Sequence, residues 1–355
     1  MTDAPAASPR ELSLFALWLR FLRFGALAFG GPVVQIAALH HELVERERWV
    51  DEARFRRALA VYQALPGPEA TELCIWFGSL ARGRLGGLVA GLGFVLPGFA
   101  LMLAASWLLQ GAAPWPPWLV GAFAGMQAAV VALVARAAWR MWRSHVHGRT
   151  PLVAIATLAA GGALVGAWLA GPAAAGGDGA GAAPGTMRLA WCGLRAGLLS
   201  FGGAYTVIPF LRDDAVGAAG WMGAGEFWNG VAVGGVLPAP MVILGTWVGY
   251  AGGCLGGAVL VTLGIFLPAF AGPLLVGDLL ERLVTNRRLH ALLDGVTAAV
   301  VGLIAAIALQ LVPTLATPWR FALAIATAVL LQVLPQRWAV LPVMVGAGAL
   351  GALLG

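Results

Sequence analysis

Two arginines at matched distances before paired glycines are the residues of this sequence best suited to binding an anion. Arg23 precedes Phe29-Gly30-Gly31 and Arg195 precedes Phe201-Gly202-Gly203, each seven positions before the first glycine. Seven residues are about two helical turns, so each arginine shares the helical face that ends at its glycines. A planar guanidinium group suits a tetrahedral oxyanion, and an ionised side chain within a membrane segment is a functional candidate. The alternative is that both side chains extend from helix ends to the lipid headgroups.

Glycine and proline breaks would supply a second kind of anion ligand. Gly30-Gly31-Pro32 and Pro66-Gly67-Pro68 interrupt apolar, helix-forming stretches, and a new half-helix is expected after each break. Unpaired N–H groups at a helix start carry partial positive charge and attract anions. The predicted substrate-binding residues are Arg23, Phe29, Gly30, Gly31, Gln63, Pro66, Gly67, Pro68, Arg195, Ser200, Phe201, Gly202, Gly203, Tyr205, Thr206, Pro238, Ala239 and Pro240.

Two carboxylic acids follow the second break. Glu69 and Glu72 come directly after Pro68, and their second-half counterparts are the apolar Met241 and Leu244. Carboxylates in the first turn of a helix complement its dipole, which is a sufficient structural explanation. An acidic pair would repel an anion unless it is protonated, so Glu69 and Glu72 are also the candidates for proton coupling.

No pattern in the sequence indicates a metal, a cofactor or a catalytic cluster. The histidines at 40–41, 145 and 147 stand in arginine-rich loops, and the three cysteines are scattered without paired spacing. A nucleotide-binding P-loop is absent from the sequence. We therefore expect no cofactor, no metal and no enzymatic activity.

The elements that must position these residues are membrane helices. The chain is 60% hydrophobic and 11% charged, and the runs 85–109, 151–170 and 254–276 hold no ionisable side chain. Each run is near the roughly 20 residues that a helix needs to cross a bilayer, and further spans are expected at 118–139 and 291–312. The first ten residues have no apolar core of a signal peptide. The net charge is +6. We expect the excess arginine to lie in cytoplasmic loops and not to bind nucleic acid.

The landmarks occur twice and in the same order, which predicts a duplication. Leu22-Arg23, Gly25, Phe29-Gly30-Gly31 and Pro66-Gly67-Pro68 recur with an offset of 172 (201 − 29) at Leu194-Arg195, Gly197, Phe201-Gly202-Gly203 and Pro238-Ala239-Pro240. Leu96-Pro97-Gly98-Phe99 recurs as Leu267-Pro268-Ala269-Phe270. We predict a tail at 1–11, a first membrane repeat at 12–170, a Gly/Ala/Pro linker at 171–186 and a second repeat at 187–355.

Charge predicts how the repeats lie in the membrane. The first repeat carries arginines at 46–57, 82–84 and 140–149, and its loop 110–117 has no charged residue. In the second repeat, the counterpart of loop 110–117 is basic. Three spans separate the repeats, so the second should be inverted, and the Pro-Gly-Pro segment should enter and return on one side. The prediction is an all-α polytopic membrane protein of two homologous inverted-topology repeats. Each repeat has two broken or re-entrant helical hairpins plus spanning helices, and the N-terminus is cytoplasmic.

These motifs together resemble the chromate ion transporter family in its long, two-domain form. The resemblance rests on Arg-x-Gly-x(3)-Phe-Gly-Gly, Trp49 in a charged connector, Pro66-Gly67-Pro68 and Leu96-Pro97-Gly98-Phe99 with their repeats, and it covers nearly the whole chain. The second copies depart from the pattern at Ala239 and at Ala204, which replaces a proline. The resemblance implies an inner-membrane transporter that exports chromate at the expense of the proton gradient.

Two transport hypotheses follow. The first is a secondary active transporter of a divalent tetrahedral oxyanion, chromate foremost, that works by alternating access of inverted repeats. The second is an uptake carrier or a passive channel for sulfate or another anion. The expected partners are a chromate-like or sulfate-like oxyanion, protons and the lipid bilayer, with no nucleic acid. The sequence leaves the oligomeric state open, a homodimer among the options.

Overall fold

The computed structural model describes residues 12–29, 31–63, 65–111, 114–145, 183–200, 204–217, 220–284, 301–302, 304–305, 308–309, 311–334 and 336–355. The predicted span 151–170, most of the linker 171–186 and much of the predicted span 291–312 lie outside these residues. Gly30, Phe201, Gly202 and Gly203 also lie outside them.

Every regular element in the described residues is helical. The first half contains α1 (Leu14–Ala26), α2 (Pro32–Leu39) continued by a π-helical segment (His40–Arg46), α3 (Glu52–Gln63), α4 (Glu69–Gln110) and α5 (Pro117–His145). The second half contains α6 (Thr186–Leu198), a 3₁₀ turn (Ala204–Thr206), α7 (Val207–Val216), α8 (Ala224–Val236), a 3₁₀ turn (Met241–Ile243), α9 (Leu244–Val284), a 3₁₀ turn (Val312–Leu315), α10 (Pro318–Val333) and α11 (Gln336–Leu354).

Local sequence explains where several helices begin. The Ser13 hydroxyl accepts a hydrogen bond of 3.1 Å from the Ala16 amide and so caps α1. Helix α2 has proline at its first position after Gly31, whose φ of 79° is readily adopted only by glycine. The two predicted breaks of the first half therefore occur where glycine and proline stand.

Within the described residues, three helical segments are long and apolar enough to cross a membrane. They are Glu69–Gln110, Pro117–Arg140 and Met241–Leu275, and the shorter apolar helices Pro318–Val333 and Val340–Leu354 accompany them. This confirms the predicted all-α membrane protein. The span expected at 118–139 is longer than predicted, because α5 continues through the basic residues to His145.

Helices α4 and α9 each contain a sharp reversal at equivalent positions. Arg82 and Gly83 leave helical geometry with φ of −139° and 61°, and Gly253 and Cys254 do so with φ of −169° and 49°. Beyond the first reversal the chain packs back on itself, since a Cβ on Gly78 would lie 2.4 Å from the Gly86 carbonyl oxygen. Gly249 and Gly257 make the same close approach in the second half, at 2.3 Å.

The described segments before and after each predicted break pack against each other as a helical hairpin, and we call the break with its immediate neighbours the tip. In the second hairpin Phe55 and Phe77, eleven residues on either side of Pro66, stack at 6.3 Å. In the fourth hairpin the Trp247 indole donates to the Glu226 carbonyl oxygen at 3.1 Å. The first and third hairpins are closed by the ion pairs Arg20–Glu42 and Arg195–Asp213.

The same close contact between two helices occurs within each half. A Cβ on Gly25 would lie 2.2 Å from the Phe94 carbonyl oxygen, and a Cβ on Gly197 would lie 2.4 Å from that of Ile265. These pairs are repeat equivalents, and only glycine lets α1 approach α4, and α6 approach α9, this closely. The duplicated glycines therefore preserve one helix-packing interface in each half.

Candidate anion site

Described residues at or directly beside the four breaks contact one another in the structure. A Cβ on Gly31 of the first tip would lie 3.8 Å from the hydroxyl of Tyr205, just after the third tip. The Gly67 amide of the second tip donates to the Ser200 carbonyl oxygen at 3.1 Å. The turns Ala204–Thr206 and Met241–Ile243 contact each other, which joins the third tip to the fourth.

The contacts between the halves are reciprocal. A Cβ on Gly67 would lie 3.0 Å from the Ala269 Cβ, and a Cβ on Gly98 would lie 2.5 Å from the Ala239 Cβ. The Pro-Gly-Pro tip of the first half thus packs on the Leu-Pro-Ala-Phe segment of the second half. Equivalently, the Pro-Ala-Pro tip of the second half packs on the Leu-Pro-Gly-Phe segment of the first half. Self-complementary contacts of this kind arise from two-fold related surfaces.

Two buried carboxyl groups lie beside the second tip. The side chains of Glu69 and Glu72 are buried, with residue exposures of 8% and 1%. Glu69 Oε2 and both side-chain oxygens of Glu72 have no hydrogen-bond partner among the described residues, and neither does the Thr71 hydroxyl. The N-cap residue of α4 is Pro68, whose side chain makes no capping hydrogen bond. Glu72 Oε1 would lie 3.0 Å from a Cβ on Gly67, which places this carboxyl against the tip itself.

Arg195 is held by acidic residues of the opposite hairpin arm. Its Nη2 lies 2.9 Å from Asp213 Oδ2 and 3.0 Å from Asp214 Oδ1, with 29% of the side chain exposed. The same nitrogen donates to the Phe210 carbonyl oxygen at 3.4 Å. An anion could contact Arg195 only by sharing the guanidinium group with two carboxylates, so this residue chiefly closes the third hairpin.

Arg23 has a different environment from its repeat equivalent. It is exposed and lines a cavity of about 660 Å³ between the two arms of the first hairpin, together with Arg20, Arg46 and Phe29. No hydrogen bond or ion pair engages the Arg23 side chain within the described part of the chain. Arg20, by contrast, pairs with Glu42 and Glu47. The two predicted arginines are therefore unequal, and only Arg23 is available to a ligand.

The other predicted residues divide between the tips and their surroundings. Tyr205 and the buried Thr206 lie in the turn after the third tip, and Pro238 and Pro240 flank Ala239 in the fourth. The Ser200 hydroxyl donates to the Gly197 carbonyl oxygen at 2.8 Å, which is the local role that such residues commonly have. Gln63 is exposed at the end of α3. Pro66 and Pro68 flank Gly67 in the second tip.

Several polar residues near the tips were not predicted from the sequence. Gln35 is 3% exposed, donates to the Ala28 carbonyl oxygen at 3.0 Å and leaves its Oε1 without a partner among the described residues. Gln127 of α5 donates to Asn229 of α8 at 2.8 Å. A lone amide inside an apolar helix was the available signal for Gln127. Its partner becomes evident only from the packing.

Metal binding has no support in the described residues. No group of three or more histidine, cysteine, aspartate or glutamate residues there could hold an ion. His40 and His41 instead pair with Glu52 and Glu45, at 2.6 and 2.8 Å. The His40–Glu52 pair links the π-helical segment to α3, and the His41–Glu45 pair lies within that segment.

Comparison with known proteins identifies one family, whose profile matches both halves of the chain. The profile of the family described as "Chromate transporter" matches residues 15–179 and again 187–352. A protein of Pseudomonas aeruginosa named "Chromate transport protein" is 47% identical over 87% of this chain and 84% of its own length. One of the same name from Cupriavidus metallidurans is 30% identical over 85% of this chain and 82% of its own. No solved structure matches.

Proposed function

The chain belongs to the chromate transporter family, and we propose that it exports chromate through an anion site formed where its four hairpin tips meet. The matched family and relatives are transporters, and the described helices are apolar enough to span a membrane. Transport of an oxyanion rather than catalysis is the activity that these findings favour. Direction, coupling and mechanism are the parts of the proposal that need experiment.

The observation that carries the proposal is the meeting of tips from both repeats. Non-helical backbone at membrane depth is tolerated where protein encloses it or where it lines a water-filled cavity. Gly31, Gly67, Ser200 and Tyr205 bring three such breaks into contact, and Ala239 adds the fourth. Backbone N–H groups at the start of α2, the Tyr205 hydroxyl and the Arg23 guanidinium are the donors that we assign to the anion.

Glu72 is the group that we assign to proton coupling, with Glu69 in support. Burying two neighbouring carboxyl groups without partners favours their neutral, protonated forms. Loss of the proton would place negative charge against the second tip and repel a divalent anion bound there. Protonation of Glu72 and anion occupancy would then depend on each other, as coupling by the proton gradient requires.

The reciprocal packing of the repeats supports a mechanism of alternating access. The first repeat (12–170) and the second (187–355), joined by the linker 171–186, would rock against each other around the tips. The predicted exchange of basic loops supports an inverted second repeat, with the N-terminus on the cytoplasmic side of an inner membrane. Chromate would then bind from the cytoplasm and leave on the opposite side.

Everted membrane vesicles test this function directly. We expect the wild-type protein to accumulate chromate in vesicles energised by a proton gradient, and an uncoupler to abolish the accumulation. Glu72→Gln should retain downhill chromate exchange and lose uphill accumulation, because its side chain cannot release a proton. Chromate entry that only reaches equilibrium and is unchanged by the uncoupler would favour a passive channel. Accumulation by Glu72→Gln at the wild-type level would remove Glu72 from the coupling step.

A further inference from the structure

A second basic cavity lies outside the residues predicted from the sequence. Arg136, Arg140 and Arg143 occupy positions i, i+4 and i+7 of α5 and therefore share one helical face. With Ala328 and Gln332 of α10 they line a cleft of about 560 Å³. The cleft has room for a tetrahedral oxyanion together with several water molecules.

The cleft concentrates positive charge that no described residue neutralises. None of the described residues that line it is acidic. Within the described residues no carboxylate forms an ion pair with Arg136, Arg140 or Arg143. Like charges one turn apart on a helix repel each other, so this arrangement is stabilised by an anion in the cleft.

The cleft is also adjacent to the meeting hairpin tips. Arg136 is half-buried, and both it and Arg140 lie close enough to Tyr205 to interact with it electrostatically. The Tyr205 hydroxyl in turn faces Gly31 of the first tip. The three arginines therefore lead from the exposed end of α5 toward the proposed anion site.

We propose that this cleft is a vestibule that binds the transported divalent oxyanion before it reaches the hairpin tips. The inference rests on the proposed function and adds the route by which the anion arrives. Arg143 and Arg140, which are exposed, attract the hydrated anion, and Arg136 receives it next to Tyr205. A field of like charge in a cleft raises the local anion concentration and accelerates association, and added salt screens this effect.

The test measures initial rates of chromate uptake in everted vesicles as a function of chromate concentration and ionic strength. Arg140→Gln and Arg136→Gln should each raise the KM for chromate about threefold or more, leave the maximal rate within about twofold, and weaken the dependence on salt. Arg140→Lys should stay near wild type because it keeps the charge. Arg57→Gln is the matched control, since it removes an exposed arginine of α3 outside the cleft.

Two results would overturn the vestibule. The first is a KM and a salt dependence in Arg140→Gln and Arg136→Gln equal to those of Arg57→Gln. The second is a defect that appears in proteoliposomes containing anionic lipid and vanishes in neutral lipid, because the cleft would then hold a lipid phosphate.

A separate binding measurement distinguishes failure of the vestibule from failure of the proposed function. If the wild-type protein moves no chromate, the proposed function fails, and equilibrium dialysis of chromate and sulfate against the purified protein still tests the cleft. Weaker binding by Arg140→Gln than by Arg57→Gln would support an oxyanion site there. Equal binding by the two variants would contradict it.

Discussion

Adding a single methyl group at the second hairpin tip tests whether the close approach of the tips matters for transport. Gly67 has φ of +146°, and a Cβ there would lie 3.0 Å from the Ala269 Cβ and from Glu72 Oε1. Carbon atoms in contact prefer about 3.5–4.0 Å, so Gly67→Ala must move the tip by roughly half an ångström or more. The amide that donates to Ser200 at 3.1 Å would move with it.

The magnitude follows from two terms. A non-glycine residue in this backbone region costs about 1–3 kcal/mol. Weakening the Gly67–Ser200 hydrogen bond adds about 0.5–1.5 kcal/mol. A misplacement of about 1 Å lowers enzymatic rates by about 100-fold, so we expect transport to fall by at least about tenfold.

Gly83→Ala is the control for backbone strain alone. Gly83 has φ of +61°, and no described atom lies within 4 Å of a Cβ built there. Its repeat equivalent Cys254 already carries a side chain at φ of 49°, so the variant should fold. Both variants should unfold at lower temperature in detergent, and only Gly67→Ala should lose chromate transport per folded molecule. Equal transport by Gly67→Ala and Gly83→Ala would refute the requirement for closely packed tips.

Two further predictions concern stability. Cys254→Gly should stabilise the protein by about 1 kcal/mol, because relief of about 1–3 kcal/mol of backbone strain exceeds the entropy cost of glycine of about 0.5–1 kcal/mol. Chemical denaturation in detergent would measure this change. Unchanged stability would mean that the backbone at Cys254 is unstrained. Arg195→Ala should lower thermal stability by leaving Asp213 and Asp214 facing each other without a cation, and adding Asp213→Asn and Asp214→Asn should restore most of the loss. Failure of that rescue would assign Arg195 another role.

The duplication made much of the fold predictable. Glycines and prolines at constant offsets located the four breaks from sequence alone. The reversal at Gly253-Cys254 was not predicted, although an offset of 171 (254 − 83) carries Gly83 of the first reversal onto Cys254. Glycine at position 83 indicates that the backbone could adopt a positive φ, whereas cysteine at the equivalent position 254 gives no such indication.

The candidate site was less predictable because its contacts depend on tertiary packing. Arg23 and Arg195 are equivalent in sequence, but the arms of the third hairpin bring Asp213 and Asp214 onto Arg195 alone. Hydropathy marks Glu69 and Glu72 as unusual but does not show that their oxygens lack partners. The sequence predicts that Arg140 begins the basic loop 140–149 and that Arg136 lies in the span before it. Only the packing of α5 brings both close enough to Tyr205 to interact with it electrostatically.

Cross-linking the two repeats at their reciprocal contact tests the central claim most directly. In a protein free of its native cysteines, Gly98→Cys and Ala239→Cys would face each other, since the corresponding Cβ atoms lie 2.5 Å apart. A disulfide needs a Cβ separation of about 3.8 Å, so the pair must open by roughly an ångström. We predict that oxidation forms the cross-link, stops chromate transport by holding the tips together, and that reduction restores it. Transport at the full rate in the cross-linked protein, or no cross-link at all, would contradict this account.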